Sequence, residues 1–162
     1  MPKSRDNKPN TESVDDYLKA LFYLSHGTTR RVSGGDLAEQ MGVAPASVTN
    51  MVQKLAGAKP SFVEYERHYG VSLSALGLRR ALEIVRHHRL IETFLFEVLG
   101  YPMERLHDEA ERLEHFISEE FEQAVAKKLD DPVRDPQGRC IPRLDGGMPE
   151  GHGVGCGCFV RD

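Results

Sequence analysis

Apolar residues in the first third of the chain recur at the three- and four-residue spacing of amphipathic helices. The pattern predicts three helices in succession, over residues 13–25, 33–41 and 45–55. Ser13 and Ser33 are suited to cap the first two helices, Gly42 to end the second, and Pro45 to open the third. Two short helices joined by a glycine-containing turn predict a helix-turn-helix motif.

The period of the pattern then changes from that of a helix to that of a strand. Residues 62–66 alternate apolar and polar side chains, Gly70 supplies a turn, and residues 71–73 are expected to form the returning strand. Helical periodicity resumes in three segments, at residues 74–99, 103–115 and 118–129. A hairpin directly after a helix-turn-helix predicts a winged helix, and the chain that follows is expected to be helical.

The charge balance differs between the two halves of the chain. Residues 1–80 hold 11 Lys+Arg and 8 Asp+Glu, a net charge of +3, whereas residues 81–162 hold 10 and 17, a net charge of −7. This split suits a front half that meets phosphates and a back half that collects cations. The sequence has no long apolar run and no N-terminal signal region, which predicts a cytoplasmic protein without a membrane partner.

Histidines and carboxylates in the back half repeat at helical spacing. His107, Glu111 and His115 are each four residues apart and Glu114 lies beside them, so one helix face presents four donors. His88 and Glu92 form a second set, also four residues apart, on the long helix. A solvated face with weak ion pairs is the alternative for the first set, and a histidine bonded to the backbone is the alternative for His88. The coincidence of two sets favours a divalent cation site.

The third predicted helix has the side chains that a DNA-reading helix needs. Small and polar groups suit its first turns, where base edges are met, and cations suit the phosphates. The candidate DNA-binding residues are Pro45, Ser47, Thr49, Asn50, Gln53 and Lys54 on this helix, with Arg67 at the tip of the wing. A helix-turn-helix that serves only for packing is the alternative, but the order of helix pair and wing favours DNA binding.

Together these motifs resemble the family of the diphtheria toxin repressor and the manganese transport regulator. The segments that carry the likeness are SVDDYL at residues 13–18, PASVTNMVQKL at 45–55, HHRLIE at 87–92, and HDEA followed by EH at 107–115. The resemblance extends over roughly residues 12–143. It implies a mainly α fold: an N-terminal winged helix-turn-helix with a two-stranded wing, followed by an all-helical metal-binding and dimerisation domain. The long fourth helix is then expected at the dimer seam, through Ala81, Ile84, Val85 and Phe94.

The resemblance also implies two metal positions. The primary position matches Asp16, Glu111, Glu114 and His115, and the ancillary position matches His88, Glu92 and His107. Asp16 taken alone would be explained as part of a helix cap, and only the family match makes it a ligand. Carboxylates stand where the iron-responsive branch has Met and Cys, which favours Mn²⁺. Fe²⁺ is the alternative, and Co²⁺, Zn²⁺ or Cd²⁺ are expected to substitute in vitro.

Lys19 is a departure from the manganese-responsive branch of the family. That branch has a second carboxylate on the first helix at this position, and an ammonium group cannot ligate a cation. Two separated metal sites are therefore expected instead of a paired-manganese cluster. Because histidine ligands must be neutral, activation by metal is expected to fade as the pH falls through about 6.5.

The resulting prediction is a metal-activated, manganese-responsive homodimeric regulator that binds double-stranded DNA operators of metal-ion homeostasis genes. The expected units are a DNA-binding domain at residues 1–73, a metal-binding and dimerisation domain at 74–143, and a flexible Gly-rich tail at 144–162. An iron-responsive repressor and a metal-independent winged-helix regulator are the alternatives. An enzyme is not expected, since Glu111 and Glu114-His115 match dinuclear bundle motifs poorly and no small-molecule substrate is indicated.

Overall fold

A computed structural model describes residues 11–150 together with residues 158 and 159. The described chain contains six helices and one two-stranded sheet. In order these are α1 (Thr11–Leu24), α2 (Gly34–Met41), α3 (Pro45–Gly57), β1 (Val63–Glu66), β2 (Gly70–Leu73), α4 (Ala75–Glu97), α5 (Met103–Leu113) and α6 (Glu119–Lys128). The predicted fold class, a winged helix-turn-helix followed by a helical region, is confirmed. Within the described residues no helix combines the length and hydropathy that a membrane span requires.

Serine side chains cap the starts of three of the six described helices. The hydroxyl oxygens of Ser33, Ser74 and Ser118 each accept a hydrogen bond from a backbone N–H in the first turn of α2, α4 and α6. Gly42 ends α2 with a φ of 65°, a left-handed conformation that suits glycine. The predicted cap at Ser13 is wrong, because α1 begins at Thr11 and Ser13 already lies in its first turn.

The wing is an antiparallel hairpin that is tied to the helix pair. Val63 pairs with Leu73, and Glu66 pairs with Gly70 next to the turn. Val32, just before α2, exchanges backbone hydrogen bonds of 2.7 and 2.9 Å with Val71 on β2. Since Val63, Val71 and Leu73 are buried, the inner face of the hairpin is part of the core beneath α3.

The largest hydrophobic core crosses the expected boundary at residue 74. It joins α1, α2, α3 and the hairpin to the first half of α4 through Ala81, Leu82 and Val85. Ala81, Ile84 and Val85 are 0 % exposed within the single chain. These three residues therefore cannot contact a second copy, and the expectation that they line a dimer seam is wrong.

The second half of α4 carries two smaller cores. Ile91 and Leu95 pack with Leu106 and Ala110 of α5. A separate cluster on the other side of α4 brings Leu90 together with Val125, Ala126 and Ile141. Helix α4 thus connects the winged helix to α5 and α6, and it carries His88 and Glu92, two of the residues predicted to bind metal.

Two described residues near the end of the predicted tail, Cys158 and Phe159, contact the rest of the fold. Cys158 is fully buried: its carbonyl accepts a hydrogen bond from Arg89, and its Sγ accepts one of 3.0 Å from the backbone N–H of Cys140. The ring of Phe159 lies 5.5 Å from that of Phe22 on α1. Cys156, the other cysteine of the predicted tail, lies outside the described residues.

Candidate metal centre

All seven predicted metal ligands converge where α1, α4 and α5 meet. His88 and Glu92 come from α4, His107 and Glu111 from α5, Glu114 and His115 from the turn after α5, and Asp16 from α1. They form three overlapping groups, each with ligand atoms within 4.8 Å of one another. The groups are Asp16–Glu114–His115, His88–Glu92–His107 and His88–Glu111–Glu114.

The first group links the winged helix to the turn after α5. Nε2 of His115 lies 3.2 Å from Oδ1 of Asp16 and 3.4 Å from Oε1 of Glu114. His115 follows the last turn of α5, whose final helical residue is Leu113. His115 groups with Asp16 of α1 and with Glu114, and not with His107 and Glu111, with which the sequence placed it on one helix face.

Asp15 is a functional candidate that the sequence did not single out. This buried carboxylate accepts two hydrogen bonds of 2.8 Å from Arg80 on α4, and its Oδ2 lies 3.5 Å from Nδ1 of His115. A carboxylate behind a ligating histidine fixes the orientation of the ring and leaves the other nitrogen for the metal. Burial alone would raise the pKa of Asp15, but His115 and Arg80 hold that pKa below its usual value.

The charge around His115 makes its imidazole unusually basic. Hydrogen bonding to Asp15, and then to Asp16, raises the pKa of His115 to about 10. Without a metal ion, the ring therefore carries a proton at neutral pH. A ligating ring must first lose this proton, so proton competition at His115 is expected to extend above pH 6.5 as well.

Glu114 is shared between two of the three groups. Its side chain is fully buried, and its two oxygens face different elements. Oε1 lies 2.6 Å from Nζ of Lys19 on α1, and Oε2 lies 2.5 Å from Nδ1 of His88 on α4. One carboxylate therefore joins the side chains that α1, α4 and α5 bring to the centre.

Lys19 separates Glu111 from the group in which the resemblance placed it. The Lys19 ammonium donates to Glu111 as well as to Glu114. Glu111 Oε1 then lies 3.8 Å from Nδ1 of His88, so Glu111 groups with His88 and Glu114 and not with Asp16. Burial alone would lower the pKa of Lys19, but Glu114 and Glu111 raise it above its usual value.

The third set of donors corresponds to the predicted ancillary position. Nε2 of His88 lies 3.2 Å from Oε1 of Glu92, and the ring centroids of His88 and His107 are 5.1 Å apart. The buried Oε1 of Glu92 has no hydrogen-bond donor among the described residues. Arg139 donates to the other oxygen, Oε2, and this arginine was not anticipated from the sequence.

The donor chemistry fits a hard divalent cation. The seven side chains supply four carboxylates and three imidazoles and no sulfur. Oxygen-rich sets of this kind suit Mn²⁺ and related ions, whereas thiolates select softer metals. The undonated oxygen of Glu92 also leaves an acceptor directed towards the neighbouring histidines, where a cation would satisfy it.

The predicted DNA-binding residues lie on α3 and in the turn of the wing. Val48, Val52 and Leu55 of α3 are buried against the core, which turns the other face of the helix outward. All seven candidates are exposed: Pro45, Ser47, Thr49, Asn50, Gln53, Lys54 and Arg67. The Thr49 hydroxyl donates to the Pro45 carbonyl at 3.1 Å, so its hydrogen is already used within the helix.

Comparison with known families divides the chain in the same order. Residues 10–71 match the family described as the iron dependent repressor, N-terminal DNA binding domain. Residues 74–143 match the iron dependent repressor, metal binding and dimerisation domain. The two matches meet where β2 leads into α4.

Individual relatives are regulators of transcription. The HTH-type transcriptional regulator MntR of Bacillus subtilis is 36% identical over 109 residues, which cover 67% of this chain and 73% of that protein. The diphtheria toxin repressor of Corynebacterium jeikeium is 36% identical over 134 residues, which cover 83% of this chain and 55% of the repressor. Both relatives are regulators and neither is an enzyme, in agreement with the sequence prediction.

A solved structure shows the same fold at higher identity. A manganese-dependent transcriptional repressor in complex with manganese superposes with a TM-score of 0.74 and 40% identity over 84% of this chain. The chain spans about three fifths of that protein's length, 61%. With both domains matched in order and the fold shared, the chain belongs to the iron-dependent repressor family of metal-dependent transcriptional regulators.

Proposed function

We propose that this protein is a Mn²⁺-activated homodimeric regulator that binds operator DNA of metal-ion homeostasis genes. The observation that carries the proposal is the Asp16–Glu114–His115 group, because its members come from both functional halves. Asp16 lies on α1, whose apolar side chains belong to the same core as α3, whereas Glu114 and His115 follow α5 in the metal-binding region. Ligands on two elements allow one ion to control the position of one relative to the other.

The proposed mechanism is a clamp between α1 and the turn after α5. Asp16, Glu114 and His115 would hold a divalent cation, which would supply two positive charges to the two carboxylates. In the metal-free protein the His115 ring lies between these carboxylates and provides at most one charge there. In a dimer, the position of α1 sets the separation of the two recognition helices, which must match major grooves about 34 Å apart. By linkage, DNA then strengthens metal binding by the same factor as metal strengthens DNA binding.

The proposed dimer interface lies between the end of α4 and the start of α6. This part of the matched dimerisation region carries large apolar side chains that remain exposed in the single chain. They are Phe96, Val98, Leu99, Met103, Leu113, Phe116 and Phe121. Phe116 is 72% exposed, and a large exposed apolar side chain in a dimerisation region is a candidate contact with a partner.

The choice of manganese rests on the ligand atoms. Asp16 and Glu111 offer carboxylate oxygens, and the structural relative named above was solved with manganese. Fe²⁺ is the second candidate, since carboxylate and imidazole also suit that ion and a diphtheria toxin repressor is among the relatives. Affinity alone does not decide between the two metals. Divalent metals bind a given protein site in a general order of affinity, and this order does not depend on which metal the cell uses.

The test is metal-dependent selection of DNA. Random duplexes are enriched on the wild-type protein in Mn²⁺, and the selected duplex is then titrated by fluorescence anisotropy at fixed salt. Titrations are run in EDTA and with Mn²⁺, Fe²⁺, Co²⁺ and Zn²⁺. We expect tight binding with Mn²⁺, weak binding in EDTA, and no response to Mn²⁺ in Glu114→Gln. The exposed-site control Glu120→Gln is expected to behave as the wild type.

Other outcomes of the same experiment contradict defined parts of the proposal. Equal affinity in EDTA and in Mn²⁺ makes the protein a metal-independent winged-helix regulator. A response to Fe²⁺ but not to Mn²⁺, measured anaerobically, makes it an iron-responsive repressor. Failure to enrich any duplex contradicts sequence-specific DNA binding. Analytical ultracentrifugation of wild type and Phe116→Asp tests the dimer, which the aspartate is expected to dissociate.

A further inference from the structure

Lys19 places a positive charge inside the metal centre. The side chain is 5 % exposed and lies on α1, three residues after Asp16 and therefore on the same helix face. Its ammonium donates to Glu111 and lies 2.6 Å from Oε1 of Glu114. A buried lysine with two carboxylate partners is held in place by both charge and hydrogen bonds.

The ammonium lies against the carboxylates of the His88–Glu111–Glu114 group. That group brings ligand atoms within 4.8 Å of one another, as a divalent ion would require. Both of its carboxylates are already hydrogen-bonded to Lys19, and the third member, His88, contacts Glu114 through Nδ1. A divalent ion at this group would have to displace Lys19 or remain beside a like charge.

We infer that Lys19 is a resident cation that takes the place of a divalent ion at the His88–Glu111–Glu114 group. The inference rests on the proposed metal-dependent function, since it limits which groups take up metal. Lys19 bonds to one of the two carboxylates of the Asp16–Glu114–His115 group, through Oε1 of Glu114. The His88–Glu92–His107 group includes neither of the carboxylates that Lys19 bonds to. These two groups therefore remain as ion sites. Lys19 is thus a positioning residue that sets the number of ions the centre accepts.

The same contacts give Lys19 a second consequence for the metal-free protein. Because its backbone belongs to α1 and its partners to α5 and the following turn, the ammonium bridges the two elements that the proposed clamp joins. Without Lys19, Glu111 and Glu114 would lie buried or half-buried near each other and uncompensated. Removal of the charge should therefore weaken the metal-free fold and increase its dependence on a divalent ion.

The experiment compares the wild type with Lys19→Met, which removes the charge but keeps a long apolar stem. Each protein is dialysed to equilibrium against Mn²⁺, and bound manganese per chain is measured by atomic emission. Thermal unfolding is recorded in EDTA and in Mn²⁺. We expect Lys19→Met to bind a further Mn²⁺ ion per chain, to melt at lower temperature in EDTA, and to be stabilised by Mn²⁺ more than the wild type.

Two control variants isolate the effect. Lys127→Met removes an exposed lysine on α6, and it should keep the wild-type stoichiometry. Lys19→Met/Glu111→Gln removes one of the two carboxylates left uncompensated, so it should lose the added ion and regain part of the stability in EDTA. Should Lys19→Met be unfolded in EDTA, refolding in Mn²⁺ with the added ion supports the inference, and failure to refold there overturns it.

Failure of this inference can be told apart from failure of the proposed function. A wild type that binds no Mn²⁺ contradicts the proposed function, whereas the role of Lys19 depends on the difference between wild type and variant. Equal manganese stoichiometry and equal stabilisation by Mn²⁺ in wild type and Lys19→Met overturn the role of Lys19. That result would mean either that Lys19 leaves the carboxylates when metal arrives or that the group never binds an ion.

Discussion

At the scale of single residues, the imidazole of His115 is expected to couple the proposed metal binding to pH. Asp15 and Asp16 raise its pKa to about 10, well above the unfolded value of about 6.5. A raised folded-state pKa means that the protonated ring stabilises the metal-free fold. This stabilisation is fully present below about pH 6.5 and is lost as the pH rises through about 10. A metal ion that binds His115 would have to displace the same proton. Metal binding should therefore become more favourable as the pH rises.

We therefore expect the affinity for Mn²⁺ to increase with pH across the neutral range. Because His115 is expected to lose one proton on binding, the affinity should rise about tenfold for each pH unit between pH 6.5 and 8.5. Calorimetric titrations in buffers of different ionisation enthalpy measure both the affinity and the number of protons released.

Two variants check that His115 is the source of this dependence. Asp15→Asn removes the first cause of the raised pKa, so its affinity should vary less with pH than that of the wild type. His26→Gln changes an exposed histidine after α1 and should leave the dependence intact. A wild-type affinity that does not change over this range would contradict the assignment of His115 as a protonated ligand.

The sequence anticipated the candidate ligands better than the groups that orient them. Helical spacing and the family motif selected seven residues, and the structure brings all seven to one centre, although their role as ligands stays a prediction. Asp15, Arg80 and Arg139 were missed. Asp15 was missed because the motif assigned the ligand role to its neighbour Asp16. The two arginines come from distant segments that no local pattern relates to the centre.

At the scale of elements, local chemistry predicted helix ends where a cap was involved. Ser33, Ser74 and Ser118 cap the helices that they were expected to open. The close packing of α4 on the start of β1 was not foreseen: a Cβ atom on Gly77 would lie 1.9 Å from the carbonyl oxygen of Phe62. Such a contact depends on how two elements meet, which the periodicity of either one does not contain.

Helix α3 is expected to be the helix that recognises DNA. Gln53 and Asn50 are exposed on the face opposite Val52, where amide side chains can pair with adenine through two hydrogen bonds. We expect Gln53→Ala to weaken binding to the selected operator by about 1–3 kcal/mol, which is roughly 5- to 150-fold. Fluorescence anisotropy on the selected duplex and on a scrambled duplex measures the loss.

The matched control for Gln53→Ala is Gln123→Ala, on the exposed part of α6. This variant should bind the operator as the wild type does. Both variants should keep wild-type affinity for Mn²⁺, since neither residue belongs to the metal centre. If Gln53→Ala and Asn50→Ala both retain full operator affinity, α3 is not the recognition helix.

At the scale of the whole molecule, α4 makes the two functional halves one structure. Its first half belongs to the core of the winged helix and its second half supports the metal centre and packs on α5 and α6. Residues 158 and 159 add another connection. The Cys158 carbonyl accepts a hydrogen bond from Arg89 of α4. The Phe159 ring packs on Phe22 of α1 and on His26 just after it. A glycine-rich composition gave no sign of either contact.

The packing of Phe159 against the winged-helix core is expected to stabilise the fold. The substitution Phe159→Ala should lower the free energy of unfolding by about 1–3 kcal/mol, since this packing of the aromatic ring is lost. Urea denaturation of the metal-free protein measures the change. Leu144→Ala removes a side chain that is 62% exposed and should have little effect. Equal midpoints for wild type and Phe159→Ala would show that the ring does not hold the end of the chain to α1.

The position of Glu114 has a consequence for the shape of the metal response. One of its oxygens faces His115 and the other faces His88, whose second nitrogen faces Glu92. An ion bound near α1 therefore alters the orientation and charge of groups that help to hold an ion near Glu92, and the reverse is equally true. For the two proposed sites the occupancies are therefore expected to be coupled, so saturation with metal should depart from a simple hyperbola. The proposed gene control would then be cooperative or anticooperative in metal concentration.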